Sequence, residues 1–159
     1  MGEKTNISWT QRTWNPWRGC TKVSPGCRNC YMFVAQNRYG NNPSVVTRTK
    51  TWRDPARWQR QAEASDTIEL VFTCSWSDWF HKDADPWRDE AWQVIASCPN
   101  LAFQILTKRP DRIADCLPDD WGTGYQNVWL GTSIESNRYV HRADTVSYTH
   151  LRAHETDRH

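Results

Sequence analysis

The chain predicts an α/β fold built on a parallel β-sheet. Three observations carry that prediction. Short apolar, β-branched runs recur: IELVFTC at 68–74, LAFQILT at 101–107 and NVWLGTS at 127–133. Each has the continuous hydrophobicity of a strand buried on both faces. Helical patterns separate them, which makes the strand–helix–strand units parallel crossovers. The polar, reactive residues gather just after the extended runs, as GCTKVSPGCRNC, SWSDWFHKD, KRP and SIESNR. In parallel α/β folds that carboxyl edge is where ligands bind.

Each element has its own reason. TWNP, 13–16, is a short extended stretch ended by Pro16, and the cysteine loop follows. Cys30 opens a helix, YMFVAQNRYG, which Gly40 stops. Residues 41–66 read as polar and irregular, with a short helix carrying Trp52 and Trp58. The strand at 68–74 comes next. DPWRDEAWQVIASC, 85–98, is a helix: Pro86 sits near its first position, and Trp92, Ile95 and Ala96 recur at helical spacing. The strand at 101–107 leads to PDRIADCL, 110–117, a short helix opened by Pro110. After the strand at 127–133, another helix starts at Asn137. There is no internal repeat of useful length and no low-complexity segment.

Composition bounds the function. At 159 residues the chain fits one domain with a real core. A hydrophobic share of 38% with 24% charge excludes a disordered chain. No apolar run spans a bilayer, and MGEKTNISWT lacks a signal-peptide core. The expectation is a cytoplasmic protein without a membrane partner, in which six cysteines are not a disulfide framework. A net charge of +2 does not by itself point to nucleic acid. Most of the eleven tryptophans are expected in the core or in pocket walls.

The end of the chain breaks the pattern. VSYTHLRAHET, 146–156, has no apolar period and no turn logic. It matches one reading frame of a transposase adapter used to prepare sequencing libraries. The expectation is a native sequence that stops near Asp144: residues 1–144 as the N-terminal part of a longer domain, and 145–159 as a disordered, non-native tail. His81 and His141 are then the histidines to weigh.

Cys20, Cys27 and Cys30 fall within eleven positions, six residues apart and then two. Pro25-Gly26 makes the turn that brings Cys27 back. Three thiolates are one short of a closed zinc tetrahedron, whose fourth ligand would have to be Cys74, His81 or a distant residue. Three suit a 4Fe–4S cluster with one iron left open to a ligand. Zinc is the alternative. Cys74, Cys98 and Cys116 read as small core residues, and His81 as a loop residue.

TWNPWRGCTKVSPGCRNCY resembles the signature of a phage-associated family of unknown function, named after phage gene products 37 and 68. SWSDWFHKD, FQILTKRPDR and NVWLGTSIESNRY continue the resemblance, which covers residues 7–144. That family is similar in turn to radical S-adenosylmethionine enzymes, with longer members that carry further strands and a glycine-rich segment. The resemblance implies the N-terminal part of a partial TIM-like (βα) barrel. It implies that Cys20, Cys27 and Cys30 ligate the cluster, whose open iron chelates S-adenosylmethionine. Ser75, Ser77 and Asp78 lie where such enzymes hold the cofactor's amino group. Lys108 and Arg109 would bind its carboxylate or a phosphate, and Ser133 and Glu135 its ribose hydroxyls. Asp78 also reads as an N-cap or loop acid, and Lys108 and Arg109 as solvated charges at a helix start. The chain departs from the usual radical-enzyme motif: its first gap is six rather than three, and the aromatic Tyr31 follows the last cysteine instead of preceding it.

Two functions follow. One is a radical enzyme: reductive cleavage of S-adenosylmethionine gives a 5′-deoxyadenosyl radical that abstracts hydrogen from a substrate the sequence does not name. The other is a zinc-stabilised module that binds nucleic acid or a protein partner. In either, Trp17, Trp76 and Trp79 would stack bases.

Overall fold

The computed structural model describes residues 4–149. Along the chain the elements are β1 (Arg12–Trp14), β2 (Trp17–Arg18), α1 (Tyr31–Arg38), β3 (Thr47–Arg48), α2 (Asp54–Ala64), β4 (Glu69–Thr73), α3 (Asp85–Ala96), β5 (Leu101–Thr107), α4 (Ile113–Cys116), β6 (Val128–Thr132) and α5 (His141–Thr149). The central sheet has the order β1-β4-β5-β6, and all three pairings are parallel. β2 and β3 form a separate antiparallel pair. The predicted α/β class with parallel strands is what the chain adopts.

The register decides which side chains go inside. Val71 lies opposite Phe103, Thr73 opposite Ile105, and these stand beside Val128 and Leu130 of β6. All six are buried. The five apolar ones meet Trp58 and Ala62 of α2 and Ala91, Trp92 and Ile95 of α3 in one core. The opposite face is different. Leu106 is 43% and Trp129 50% exposed, and Phe72 is covered only in part, with Trp9 edge-on to its ring at 4.8 Å. The expectation of burial on both faces is thereby corrected: α2 and α3 pack on the side of Val71, Phe103 and Ile105, so the period-two alternation of a half-covered sheet applies.

Tryptophans build the centre. Trp79 is fully buried and stands 5.0 Å from Trp17, 6.0 Å from Trp14 and 4.9 Å from Trp92, measured between ring centroids. Trp17 and Trp79 are therefore not stacking platforms for bases, because neither ring reaches solvent. Trp76 is half-buried.

Three local readings change. α2 is a full three-turn helix within the stretch read as irregular; it opens on Asp54-Pro55, the same start that opens α3, and buries Trp58 and Ala62 one turn apart. The helix at 110–117 divides into a 3₁₀ turn, Pro110–Arg112, and the single turn α4. The tail does not begin as disorder at Thr145: α5 continues through Thr149, because Arg142 and Val146 fall on one helical face and both pack inward. Residues 150–159, with the rest of that reading, lie outside the described residues. Among the described residues no helix is long and apolar enough to cross a membrane.

Candidate functional site

The loops at the carboxyl edge of the sheet enclose a cavity of about 220 Å³. Cys20, Cys27 and Cys30 line it. So do Ser75, Ser77, Asp78, Lys108, Arg109 and Ser133, six of the seven polar positions that the sequence nominated; Glu135 is not in its wall.

The cysteine loop is shaped by two glycines. Gly19 has φ +95°, and a Cβ there would collide with the Val45 carbonyl, so only glycine fits. Gly26 lies so close to Glu135 that a Cβ would run into its side chain. Around Gly26 the chain forms a 3₁₀ turn, Pro25–Cys27, closed by the Cys27 N–H to the Ser24 carbonyl at 3.0 Å. Cys30 then caps α1 from an extended conformation, as its place before the helical run implies.

The loop after β4 supplies the opposite wall. Cys74 ends the strand at φ +61°, a left-handed conformation rare for a side-chain-bearing residue, and its N–H donates to the Trp14 carbonyl at 2.9 Å. Asn15 holds the turn: its Nδ2 donates to Ser75 Oγ at 2.9 Å and its Oδ1 accepts the Trp76 N–H at 2.8 Å. Ser77 Oγ donates to the Gly19 carbonyl and so ties this turn to the cysteine loop. Tyr31 OH donates to the Ser75 carbonyl. Asp78 is 6% exposed. It accepts from Thr107 Oγ1 at 2.7 Å, from the Phe80 N–H at 2.9 Å and from the Lys108 N–H at 3.0 Å. Its carboxylate is committed to the fold, which is the N-cap-like role weighed against the cofactor-binding one.

Two further residues are tied down. Glu135, expected at ribose hydroxyls, instead accepts from Ser24 Oγ at 2.7 Å and pairs with Lys108 at 3.3 Å and Arg142 at 3.5 Å. His81 is the loop residue that the sequence suggests, and a buried one: it is 4% exposed and caps the turn Lys82–Ala84. Its Nδ1 accepts the Asp83 N–H at 3.1 Å, which puts the ring proton on Nε2, 3.0 Å from Thr21 Oγ1. Arg109 Nη2 reaches the same Thr21 hydroxyl at 3.0 Å and the Thr21 carbonyl at 2.8 Å, and stands 3.8 Å from Cys20 Sγ. This Thr21–His81–Arg109 link and the place of Tyr31 in the cavity wall carry no sign in the sequence, where no spacing joins them; Cys74, weighed there as a core residue or a fourth ligand, is buried and lines the same wall.

The thiols differ in their environments. Burial pushes Cys20 up, and the Arg109 guanidinium offsets only part of that. Burial would raise Cys27 too, but the Val23 and Ser24 backbone, the Ser24 hydroxyl and the Lys108 charge outweigh it and bring the thiol below its ordinary range. Cys74, wholly enclosed, is raised well above it. Cys98 and Cys116 are buried as expected, and Cys116 takes hydrogen bonds from Arg88 and Arg112 through its sulfur.

Three thiols, those of Cys20, Cys27 and Cys30, stand on the wall of one cavity, and thiolates are the donors that a sulfur-ligated group takes. Among the described residues, no three of His, Cys, Asp and Glu are grouped to hold one metal ion.

Comparison with curated proteins and with solved structures gives no match. A family described as a protein of unknown function, DUF5131, matches residues 4–154, nearly the whole chain and all of the cavity's walls. By that match the chain belongs to the DUF5131 family.

Proposed function

We propose that the chain binds a 4Fe–4S cluster through Cys20, Cys27 and Cys30, with S-adenosylmethionine beside it, as a radical enzyme does. One observation carries the reading: three loop thiols share a cavity with Ser75, Ser77, Lys108, Arg109 and Ser133 at the carboxyl edge of a parallel sheet. The sheet's sequential order, with a helix between successive strands from β4 onward, suits one segment of a partial TIM-like barrel. The resemblance to the phage gene-product family belongs with this reading. When bound, the cluster supplies the electron that cleaves S-adenosylmethionine reductively.

The chain's own residues position and shield. Arg109, held by Thr21, places positive charge next to Cys20. Lys108, with its Nζ paired to Glu135, marks the cofactor-carboxylate end of the cavity. Ser75 and Ser77 offer hydroxyls near the Asn15 turn. Asp78 acts one step back by fixing the start of the Lys108–Arg109 loop.

Anaerobic reconstitution of the full chain with iron and sulfide tests the proposal. The expected product is brown, with about four irons per chain and a visible absorption that Cys27→Ala abolishes and Cys74→Ala retains. Colourless protein holding one zinc, or iron binding that survives Cys27→Ala, overturns it.

A further inference from the structure

The geometry points to a second ligand site: a cavity that shares Val23, Lys108 and Arg109 with the cysteine cavity and takes the phosphate group of a small phosphorylated molecule. It measures about 390 Å³ and lies between the turn Pro110–Arg112 and the start of α5. That volume is within the range of roughly 300–1,000 Å³ typical of small-molecule sites. Its cations come from two separate segments: Lys108, Arg109 and Arg112 after β5, and Arg142 in the first turn of α5, with His141 beside them. Asp111 is the acid among its described lining residues.

The charges do not cancel. Glu135 is shared between Lys108 at 3.3 Å and Arg142 at 3.5 Å. Asp85 is shared between Arg112 at 2.6 Å and Arg88. The four cations of the lining, Lys108, Arg109, Arg112 and Arg142, thus meet three carboxylates, Asp85, Asp111 and Glu135, which leaves one positive charge over. Arg109 makes no ion pair among the described residues; its guanidinium donates to the Thr21 carbonyl and hydroxyl. Its Nε is buried without a hydrogen-bond partner. A buried N–H with no acceptor is unfavourable, and an anionic oxygen entering the cavity removes the deficit.

The site is also built in advance. Arg142 is 4% exposed, donates to the Ser133 carbonyl at 2.8 Å and lies 4.2 Å from the centre of the Tyr139 ring. Its guanidinium is held in place, so little rotamer freedom is lost on binding. α5 starts at the cavity wall, which adds the positive end of a nine-residue helix. A carboxylate is satisfied by one guanidinium fork. Several cations converging from two separate segments suit the three oxygens and double charge of a phosphate.

That this molecule is the substrate of the radical reaction rests on the function proposed above; the phosphate site itself does not. The test therefore uses the full chain without iron. Inorganic phosphate and ribose 5-phosphate are titrated by calorimetry, with ¹⁵N amide shifts to locate the site. Saturable binding of ribose 5-phosphate near ~0.1 mM, tighter than that of inorganic phosphate, is expected, with shifts at 109–112 and 139–145. Arg112→Gln should weaken it about tenfold, the scale of one charge-assisted contact. Arg109→Lys, which keeps the charge and removes Nε, should weaken it severalfold while circular dichroism stays native. Absence of saturation, shifts confined to other residues, equal binding by Arg109→Lys, or a preference for inorganic phosphate or an oligonucleotide would overturn the assignment. Failure of iron loading with intact phosphate binding removes the radical reading alone.

Discussion

Asp78 and Thr107 are joined across the top of the sheet by a buried hydrogen bond of 2.7 Å, the hydroxyl donating to Oδ1. The same carboxylate takes the Phe80 and Lys108 N–H groups. It thereby fastens the loop after β4 to the end of β5, the two segments that carry Ser75, Ser77, Lys108 and Arg109. Asp78→Ala strands three donors, each worth about 1–3 kcal/mol when left unpaired in the interior. The expected loss is at least ~3 kcal/mol in urea unfolding. A loss under ~1 kcal/mol would mean that water replaces the clamp.

Gly19 stands where a left-handed backbone and a close approach to the Val45 carbonyl coincide. Gly19→Ala must pay both strain and collision, and about 1–3 kcal/mol is expected for the strained backbone alone. The Ser77 hydroxyl bonds the Gly19 carbonyl, so the damage should spread to the cysteine loop. Faster alkylation of Cys20 and Cys27 in native buffer checks this.

Stability should fall in two steps on acidification. Burial and the Arg109 charge lower His81 below its ordinary 6.5. The unfolded chain then binds a proton that the folded chain refuses, and stability declines as pH falls below about 6.5. Burial alone would raise Glu135, but the Ser24 and Lys108 hydrogen bonds and the Lys108 and Arg142 charges lower it from 4.5. Its contribution is fully present above about 4.5 and is lost as pH falls through the folded value. Thermal melts from pH 3 to 8 check both windows. His81→Asn, which keeps an N-cap acceptor, should erase the first step, and Glu135→Gln the second.

Trp79 joins Trp14, Trp17 and Trp92 in the core. Trp79→Ala is expected to cost about 3–5 kcal/mol, whereas Trp129→Ala, on the open face, should change stability by less than ~1 kcal/mol. Similar losses at the two positions would mean that the open face is covered in solution.

Much of this was readable along the chain. The runs at 68–74, 101–107 and 127–133 became β4, β5 and β6 because continuous apolar, β-branched stretches state their preference within a few neighbours. Cys30 before its helix and Pro86 inside its helix were legible for the same local reason. The placing of polar residues after each strand was enough to gather three cysteines and six polar side chains around one cavity, since parallel crossovers bring all carboxyl ends to one edge. Other features belong to packing. β2 and β3 are two residues each, too short to show a period. Leu106 and Trp129 look as buried as Ile105 and Leu130 until the helices choose a side. Thr21, His81 and Arg109 lie 60 and 88 residues apart in sequence, and Glu135 reaches back 111 residues to Ser24. A hydrogen-bond partner is a matter of distance in space, and a donor or acceptor carries no mark in the sequence of which distant loop the fold will set against it.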